Sequence, residues 1–262
     1  MEFSSFGLIS NPKVDLKLLL KLVSVIESKN ISLEMEKNTA GVLSRKGKEI
    51  EEMESELLLV LGGDGTVLWT AMRTSAILFP INAGRLGHFS EISIGDTKKL
   101  EKAITLLSNG EFYVDERERI SINTTDALNE ILICTSKPAK LLDISLYIDS
   151  RKIEDFRADG VMVATPTGST AYSLSCGGPV IYPSCKVNVI TPLNPLWMRP
   201  RPIVVPNSST IEIKLKKTSK EALVVFDGIL SKPLNPGESV EIKKSKRKTR
   251  FARLKWGNDV QA

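Results

Sequence analysis

The stretch Leu57 to Trp69, LLLVLGGDGTVLW, restricts the fold more than any other part of the chain. Leu57 to Leu61 is an unbroken apolar run of strand length, the pattern of a strand buried on both faces. Gly62, Gly63, Asp64, Gly65 and Thr66 follow at once, and apolar spacing resumes at Val67, Leu68, Ala71 and Met72, which suits a helix with Thr66 near its cap. Glycines free the backbone to take positive φ and to approach a ligand closely. The helix end behind them offers unpaired N–H groups to an anion. Asp64 is the one charged side chain in the turn. A hydroxyl that attacks phosphorus needs a carboxylate beside it and donors around the phosphate, so the loop is a candidate for phosphoryl transfer. A plain strand–helix turn, made of Gly and Asp because they turn well, accounts for this stretch equally.

The preceding and following segments alternate. Phe6 to Ser10 reads as a strand, Asp15 to Lys29 as an amphipathic helix and Ile31 to Met35 as a second strand. Gly41 to Glu54 is charged and weakly patterned, open to either a helix or a loop. Ala76 to Ile81 is an apolar run broken by Pro80 and followed by Asn82-Ala83-Gly84-Arg85-Leu86-Gly87; Asp96 to Leu107 reads as a helix stopped at Asn109-Gly110. Strands alternating with helices predict an α/β domain with a mostly parallel sheet over residues 1–110. Both glycine clusters directly follow strands, at the sheet edge where such domains bind ligands.

Beyond residue 110 the pattern changes to short strand candidates separated by turn signals: 119–123, 130–135, 143–148, 160–165, 186–190, 202–205, 210–215, 222–226 and 239–242. This predicts an all-β, sandwich-like domain over 111–240, with a C-terminal segment, 241–262, whose FARLKW stretch (Phe251 to Trp256) is a candidate to return to the first domain. The net charge of +5 is a modest excess that favours anionic ligands, and much of it lies in the run from Lys243 to Arg250. Few aromatics interleave that run, so it reads as a solvated surface and no nucleic-acid partner is expected. Cys134, Cys176 and Cys185 are odd in number and show no CxxC spacing, which disfavours disulfides and zinc and suits a reducing, cytoplasmic interior. No apolar run reaches membrane-spanning length and no secretory leader is apparent, so no membrane partner is expected. With His88 the single histidine, a protein metal site or a Ser–His–Asp triad is disfavoured.

A second constellation runs from Arg157 to Pro179, RADGVMVATPTGSTAYSLSCGGP. A strand (Val161 to Ala164) leads into a turn crowded with hydroxyls, then into a short helix from Ala171 to Ser175. Hydroxyls and backbone groups here can bond ribose, phosphate or base edges, and Tyr172 can stack on a ring. Asn129-Glu130 sets an amide beside a carboxylate just ahead of an apolar strand, a pair able to read adenine or ribose. Taken alone, each also fits an ordinary capping loop or surface pair.

Together, GGDGT at 62–66, GRLGHFSEI at 84–92, LNE at 128–130, ADGVMVATPTGSTAYSLSCGGP at 158–179, ITPLNP at 190–195, RPIVV at 201–205 and FDG at 226–228 resemble the NAD kinases of the ATP- or polyphosphate-dependent family. GGDGT alone is shared with lipid kinases of the diacylglycerol type; the TPTGSTAYSLS run with an upstream LNE is far more specific. The resemblance implies an α/β first domain and a β-rich second one with NAD bound between them. It implies transfer of a phosphoryl group from ATP or polyphosphate to the 2′-hydroxyl of the adenosine ribose, giving NADP. By match to the motif, Asp64 is the general base or orienter of that hydroxyl, with Gly65 beside it, and Gly62, Gly63, Gly65 and Thr66 form the phosphate-donor loop. Asn129 and Glu130 bind the adenosine, Thr170 and Ala171 contact the adenine, and Tyr172 lies against the ligand. Asp159 and Ser175 hold the nicotinamide-side nucleoside. Asp227 lies in the late DG motif with no role carried over. Mg²⁺ is expected with the donor, and a homodimer or homotetramer as the assembly.

Two departures stand out. His88 occupies a position usually Phe in the family, where it stacks near the adenine; His88 either stacks likewise or substitutes in packing. Leu196-Trp197-Met198-Arg199-Pro200 replaces a stretch of His-Ser-Leu type. Arg157 is a candidate to influence the choice between NAD and NADH, or a surface arginine. A lipid kinase sharing the glycine turn, and a dinucleotide-binding sensor without transfer activity, are the alternatives.

Overall fold

The computed structural model describes residues 3–84, 87–197 and 200–255. Arg85 and Leu86 of the glycine-rich motif, Met198 and Arg199, and Trp256 lie outside the described residues. The chain forms two compact units, one of residues 1–116 and 249–262, the other of 117–248.

The first unit is an α/β domain. Its elements are β1 (Ser5–Ser10), α1 (Leu16–Glu27), β2 (Ser32–Met35), α2 (Lys37–Val42), β3 (Leu57–Gly62), α3 (Asp64–Arg73), β4 (Ile77–Asn82), β5 (Ile92–Ser93) and α4 (Thr97–Ser108). β2, β1, β3 and β4 pair in parallel in that order, and Arg250 and Phe251 pair in parallel with Ile77 and Leu78 on the far side of β4. β3 is buried at all six positions, as an apolar run without alternation requires of a strand covered on both faces. α1 and α4 bury Leu19, Leu22, Val23 and Ile26, and Leu100, Ala103, Ile104 and Leu107, in the core that receives Leu57, Leu59 and Leu61. Each helix is started by an aspartate: Asp15 accepts from the Lys17 amide at 2.7 Å and Asp96 from that of Lys99 at 3.1 Å.

Pro80 does not break its run. It lies within β4 opposite Val60, and the other flank of β4 changes partner around it, from Arg250 and Phe251 at 77–78 to β5 at 81–82. A residue without an N–H is tolerated at such a gap. The open segment 41–54 resolves into α2, which begins four residues earlier, and a single 3₁₀ turn at Ile50–Glu52.

The second unit is an antiparallel β sandwich. β6 (Phe112–Ile122) carries the chain into it, followed by β7 (Thr125–Ala127), β8 (Glu130–Thr135), β9 (Leu142–Ile148), β10 (Arg151–Ala158), β11 (Gly160–Ala164), α5 (Tyr172–Ser175), β12 (Val187–Leu193), β13 (Ile203–Pro206), β14 (Ile211–Leu215), β15 (Ala222–Phe226), β16 (Leu230–Leu234) and β17 (Ser239–Leu254). One sheet has the order β13-β12-β11-β8-β15-β16; β10, β9, β14 and the start of β17 make the other. β10 and β16 were not among the expected strands: both are mostly exposed, Arg151 to Asp155 and Leu230 to Pro233 lacking the apolar alternation that marks a half-buried strand.

The basic run at 243–250 is the middle of the 16-residue β17, and its lysines are solvated as expected. Lys243, Lys244, Lys246 and Lys248 are exposed, yet β17 pairs with acidic β6, and Lys244 meets Glu118 at 3.0 Å. Behind these charges Arg119 is 1% exposed and Asp126 4%. The Arg119 guanidinium donates to Asp126 Oδ1 at 2.7 Å, and Ser245 donates to Asp126 Oδ2 at 3.1 Å. Breaking a buried ion pair leaves an uncompensated charge. Asp126→Ala should therefore cost about 3–5 kcal/mol of unfolding free energy in urea titrations.

Candidate active site

In the first unit, β3 delivers Asp64 to the carboxyl end of the parallel sheet. The helix behind it starts earlier than the sequence spacing suggests: Gly63 is the N-cap, Asp64 opens the first turn and Thr66 lies inside it. Thr66 is buried and accepts from the Asn11 side-chain amide at 2.9 Å, so it braces the turn against the end of β1 and does not face outward. None of Gly62, Gly63 and Gly65 takes positive φ; Gly63 is extended at φ −101°. Their value lies in bareness. Gly63 and Gly65 are exposed and a Cβ at either would meet nothing within 4 Å, which leaves the loop open to a ligand next to the first-turn amides of α3.

The Asp64 carboxylate is half-buried and held by backbone. His88 N–H donates to Oδ2 at 3.0 Å and Phe89 N–H to Oδ1 at 3.3 Å. Gly87 is required for that approach, since a Cβ there would overlap the carboxylate. The segment is fixed in turn by the end of β17: Phe89 stacks on Phe251 with ring centroids 5.4 Å apart, and Arg253 donates to the Phe89 carbonyl at 2.8 Å. His88 contributes its amide to Asp64 while the residue is exposed. A carboxylate has about four lone-pair positions, so two N–H bonds leave capacity for a hydroxyl.

In the second unit, Asn129 and Glu130 stand where β8 begins, with Glu130 opposite Ala164 at the end of β11. Asn129 Oδ1 and Glu130 Oε2 are both buried and have no hydrogen-bond partner among the described residues. Adjacent acceptors of this kind can receive donors from water or from a ligand. Burial raises the Glu130 carboxyl from its ordinary value of 4.5 to about 7, and the negative Asp227 adds to the rise. Thr165 ties the turn after β11 to the same segment: its hydroxyl donates to the Leu128 carbonyl at 2.6 Å and its N–H to the Asn129 carbonyl at 2.9 Å. Gly168 fits because its α-carbon lies on the Asn129 backbone, where a Cβ would collide.

Thr170 is half-buried at the end of a 3₁₀ turn, Ala171 joins that turn to α5, and Tyr172 and Ser175 of α5 are exposed. The Tyr172 hydroxyl is pushed up by burial and by its hydrogen bond and proximity to Cys176, with Cys134 and Asp159 contributing; Cys176 in turn feels Glu130. Glu130, Cys176, Tyr172 and Asp159 thus share one electrostatic neighbourhood. Asp159 is oriented by Asn194, whose amide donates to Oδ2 at 3.0 Å. Arg157 is engaged elsewhere, with Asp143 at 3.0 Å.

Sequence reasoning gave no role to Asp227. It is 7% exposed, and its carboxylate accepts from the amides of Leu128 and Asn129 at 2.7 Å each and of Glu130 at 3.1 Å. Burial holds its carboxyl above the ordinary range, against the pull of those amides and of Arg119. The available signal was the Asp-Gly pair after an apolar strand, a hairpin marker.

Glu130 generates a pH prediction. Because its carboxyl is raised in the folded chain, the folded state binds more protons than the unfolded between about pH 4.5 and 7, and stability falls as pH rises through that window. The neutral isostere Glu130→Gln lacks this cost. It should match the wild type near pH 4 and be more stable at pH 8, by up to about 3 kcal/mol in urea titrations.

Residues 13–112 match the family model for the ATP-NAD kinase N-terminal domain, and residues 128–254 that for the ATP-NAD kinase C-terminal domain. The NAD kinase of Methanothermobacter thermautotrophicus is 37% identical over 219 residues, 81% of this chain and 76% of that protein. The NAD kinase of Methanosphaera stadtmanae is 32% identical over 244 residues, 89% of this chain and 88% of the relative. Among solved structures, an NAD kinase from Archaeoglobus fulgidus in complex with ATP is similar with a TM-score of 0.79 at 27% identity, covering 94% of this chain and 92% of its own. Yeast NADH kinase complexed with NADH reaches 0.86 at 23% identity over 99% and 86% of the two chains, a likeness of fold. Matched in both its units and by relatives over most of its length, the chain belongs to the ATP-NAD kinase family and is a phosphotransferase.

Proposed function

We propose that the protein transfers a phosphoryl group from ATP, or from polyphosphate, to the 2′-hydroxyl of the adenosine ribose of NAD, giving NADP. The observation that carries this reading is the setting of Asp64: one carboxylate, pinned by two backbone N–H groups, at the mouth of a bare glycine loop and a helix start. In this reading the donor phosphates lie against Gly63 and Gly65, and the first-turn amides of α3 neutralise charge on them. Asp64 accepts a hydrogen bond from the 2′-hydroxyl, aligns its oxygen with phosphorus and takes its proton as the new P–O bond forms. Asn129 and Glu130 take donors from the adenosine, Thr170, Ala171 and Tyr172 lie along the base, and Asp159 and Ser175 hold the second nucleoside. His88, exposed beside Asp64, lies along the adenine in place of the family's usual Phe.

Among the described residues no group of three His, Cys, Asp or Glu side chains is placed to cage a metal ion. One carboxylate beside an open phosphate loop suits a cation carried by the donor, and Asp64 is the residue that would share it. When bound with the donor, Mg²⁺ supplies neutralisation of the phosphate oxygens. Among the described residues no helix is long and apolar enough to cross a membrane. The three free thiols suit work in a reducing cytoplasm, and we place the protein there as a homodimer or homotetramer.

Incubation with NAD, Mg²⁺ and ATP or polyphosphate in turn, with NADP read by an NADP-specific dehydrogenase, tests both activity and donor. Asp64→Asn should lower kcat by about 10²–10⁴-fold while thermal stabilisation by NAD survives. Turnover within a few-fold of the wild type would remove Asp64 from its role.

A further inference from the structure

We infer that Asp227 is a positioning residue for nucleotide recognition: its buried carboxylate fixes the backbone of Leu128 to Glu130 so that the side chains of Asn129 and Glu130 are aimed at the ligand. The inference rests on the reading that Asn129 and Glu130 bind NAD.

Asp227 and Gly228 both have positive φ, 50° and 68°, and Ile229 N–H donates to the Phe226 carbonyl at 2.9 Å, a type I′ turn that starts the β15–β16 hairpin. Such a turn asks only for Asn, Asp or Gly at its first central position. The turn therefore does not explain what the side chain does. The carboxylate reaches 97 to 99 residues back along the chain and accepts three consecutive amides. A neutral amide side chain has one acceptor atom and would turn its own N–H₂ toward a backbone donor, so asparagine satisfies the turn but not the segment.

The neighbourhood supports a dedicated anchor. The Asp227 N–H donates to the Glu130 carbonyl at 3.0 Å, so the two strands are tied at the same level by backbone and by side chain. Arg119, itself buried, lies close enough for its charge and that of Asp227 to act on each other. Thr165 holds the carbonyl side of the same residues. With every backbone group of 128–130 named here engaged, the buried polar atoms without a partner among the described residues are the side-chain oxygens Asn129 Oδ1 and Glu130 Oε2. The backbone is satisfied by protein, and the side chains are kept for something else. Side-chain recognition is lost if the backbone that carries it shifts by about 1 Å.

The test uses the full chain and compares Asp227→Asn with Ile213→Val, a core deletion in the same unit at a fully buried position of β14. Asp227→Asn should raise the KM for NAD at least tenfold, leave kcat and the KM for the phosphoryl donor within about threefold, and abolish thermal stabilisation by NAD. Ile213→Val should lower the melting temperature and leave the KM for NAD unchanged. An unchanged KM for NAD in Asp227→Asn, or an equal rise in Ile213→Val, overturns the inference. Hydrogen exchange on the ligand-free wild type needs no variant to fold: the amides of 128–130 should exchange as slowly as those inside β8, and exchange at surface-loop rates overturns the assignment. Wild-type protein that forms no NADP with any donor refutes the functional reading, which this comparison separates from failure of the Asp227 role.

Discussion

Each of the two units uses the same device, a carboxylate that accepts backbone N–H groups from a distant segment. Asp64 holds the amides of His88 and Phe89, and Asp227 holds those of Leu128, Asn129 and Glu130. Charge-assisted bonds to backbone are roughly twice as strong as neutral ones, and they fix position without adding a flexible partner. The chemistry asked of the two differs. Asp64 is half-buried beside an open loop and keeps acceptor capacity for a further donor, whereas Asp227 is shut in and serves the fold of its neighbours.

Burial of charge in the second unit follows from this arrangement. A carboxylate taken out of water needs compensation, and Asp227 finds it in three amides and in Arg119. Arg119 in turn is balanced chiefly by Asp126, which Ser245 and Arg247 approach from β17. Glu130 lies outside that compensation. Desolvated and next to a negative neighbour, it keeps its proton to about pH 7 and leaves an oxygen unpaired. Unbalanced polar atoms are costly in a core, and Asn129 and Glu130 place two of them side by side.

Much of this was legible in the residues because burial writes itself as pattern. β3 reads as a strand covered on both faces, α1 and α4 as amphipathic helices, and β14 as an alternating strand, since each exchanges water for protein on a definite set of faces. β10 and β16 escaped because mostly exposed strands carry no such record. The glycine loop was located, but its physics was different: openness to a ligand, not left-handed backbone, is what Gly63 and Gly65 provide. Asp227 escaped because a side chain that serves backbone amides nearly a hundred residues away has no local signature. The run from Lys243 to Arg250 read as a solvated surface, which its exposed lysines are, but its pairing with β6, far off in sequence, left no local sign.

β17 sets a condition on the order of events during synthesis. Arg250 and Phe251 complete the edge of the parallel sheet beside β4, and Phe251 and Arg253 secure the segment whose amides hold Asp64. A ribosome makes the first unit's other strands before the second unit, and these residues only after it. Translation must therefore pass through the whole second unit before the nascent chain can cap its own carboxylate, and fragments truncated before residue 250 hold β1 to β4 without that clasp.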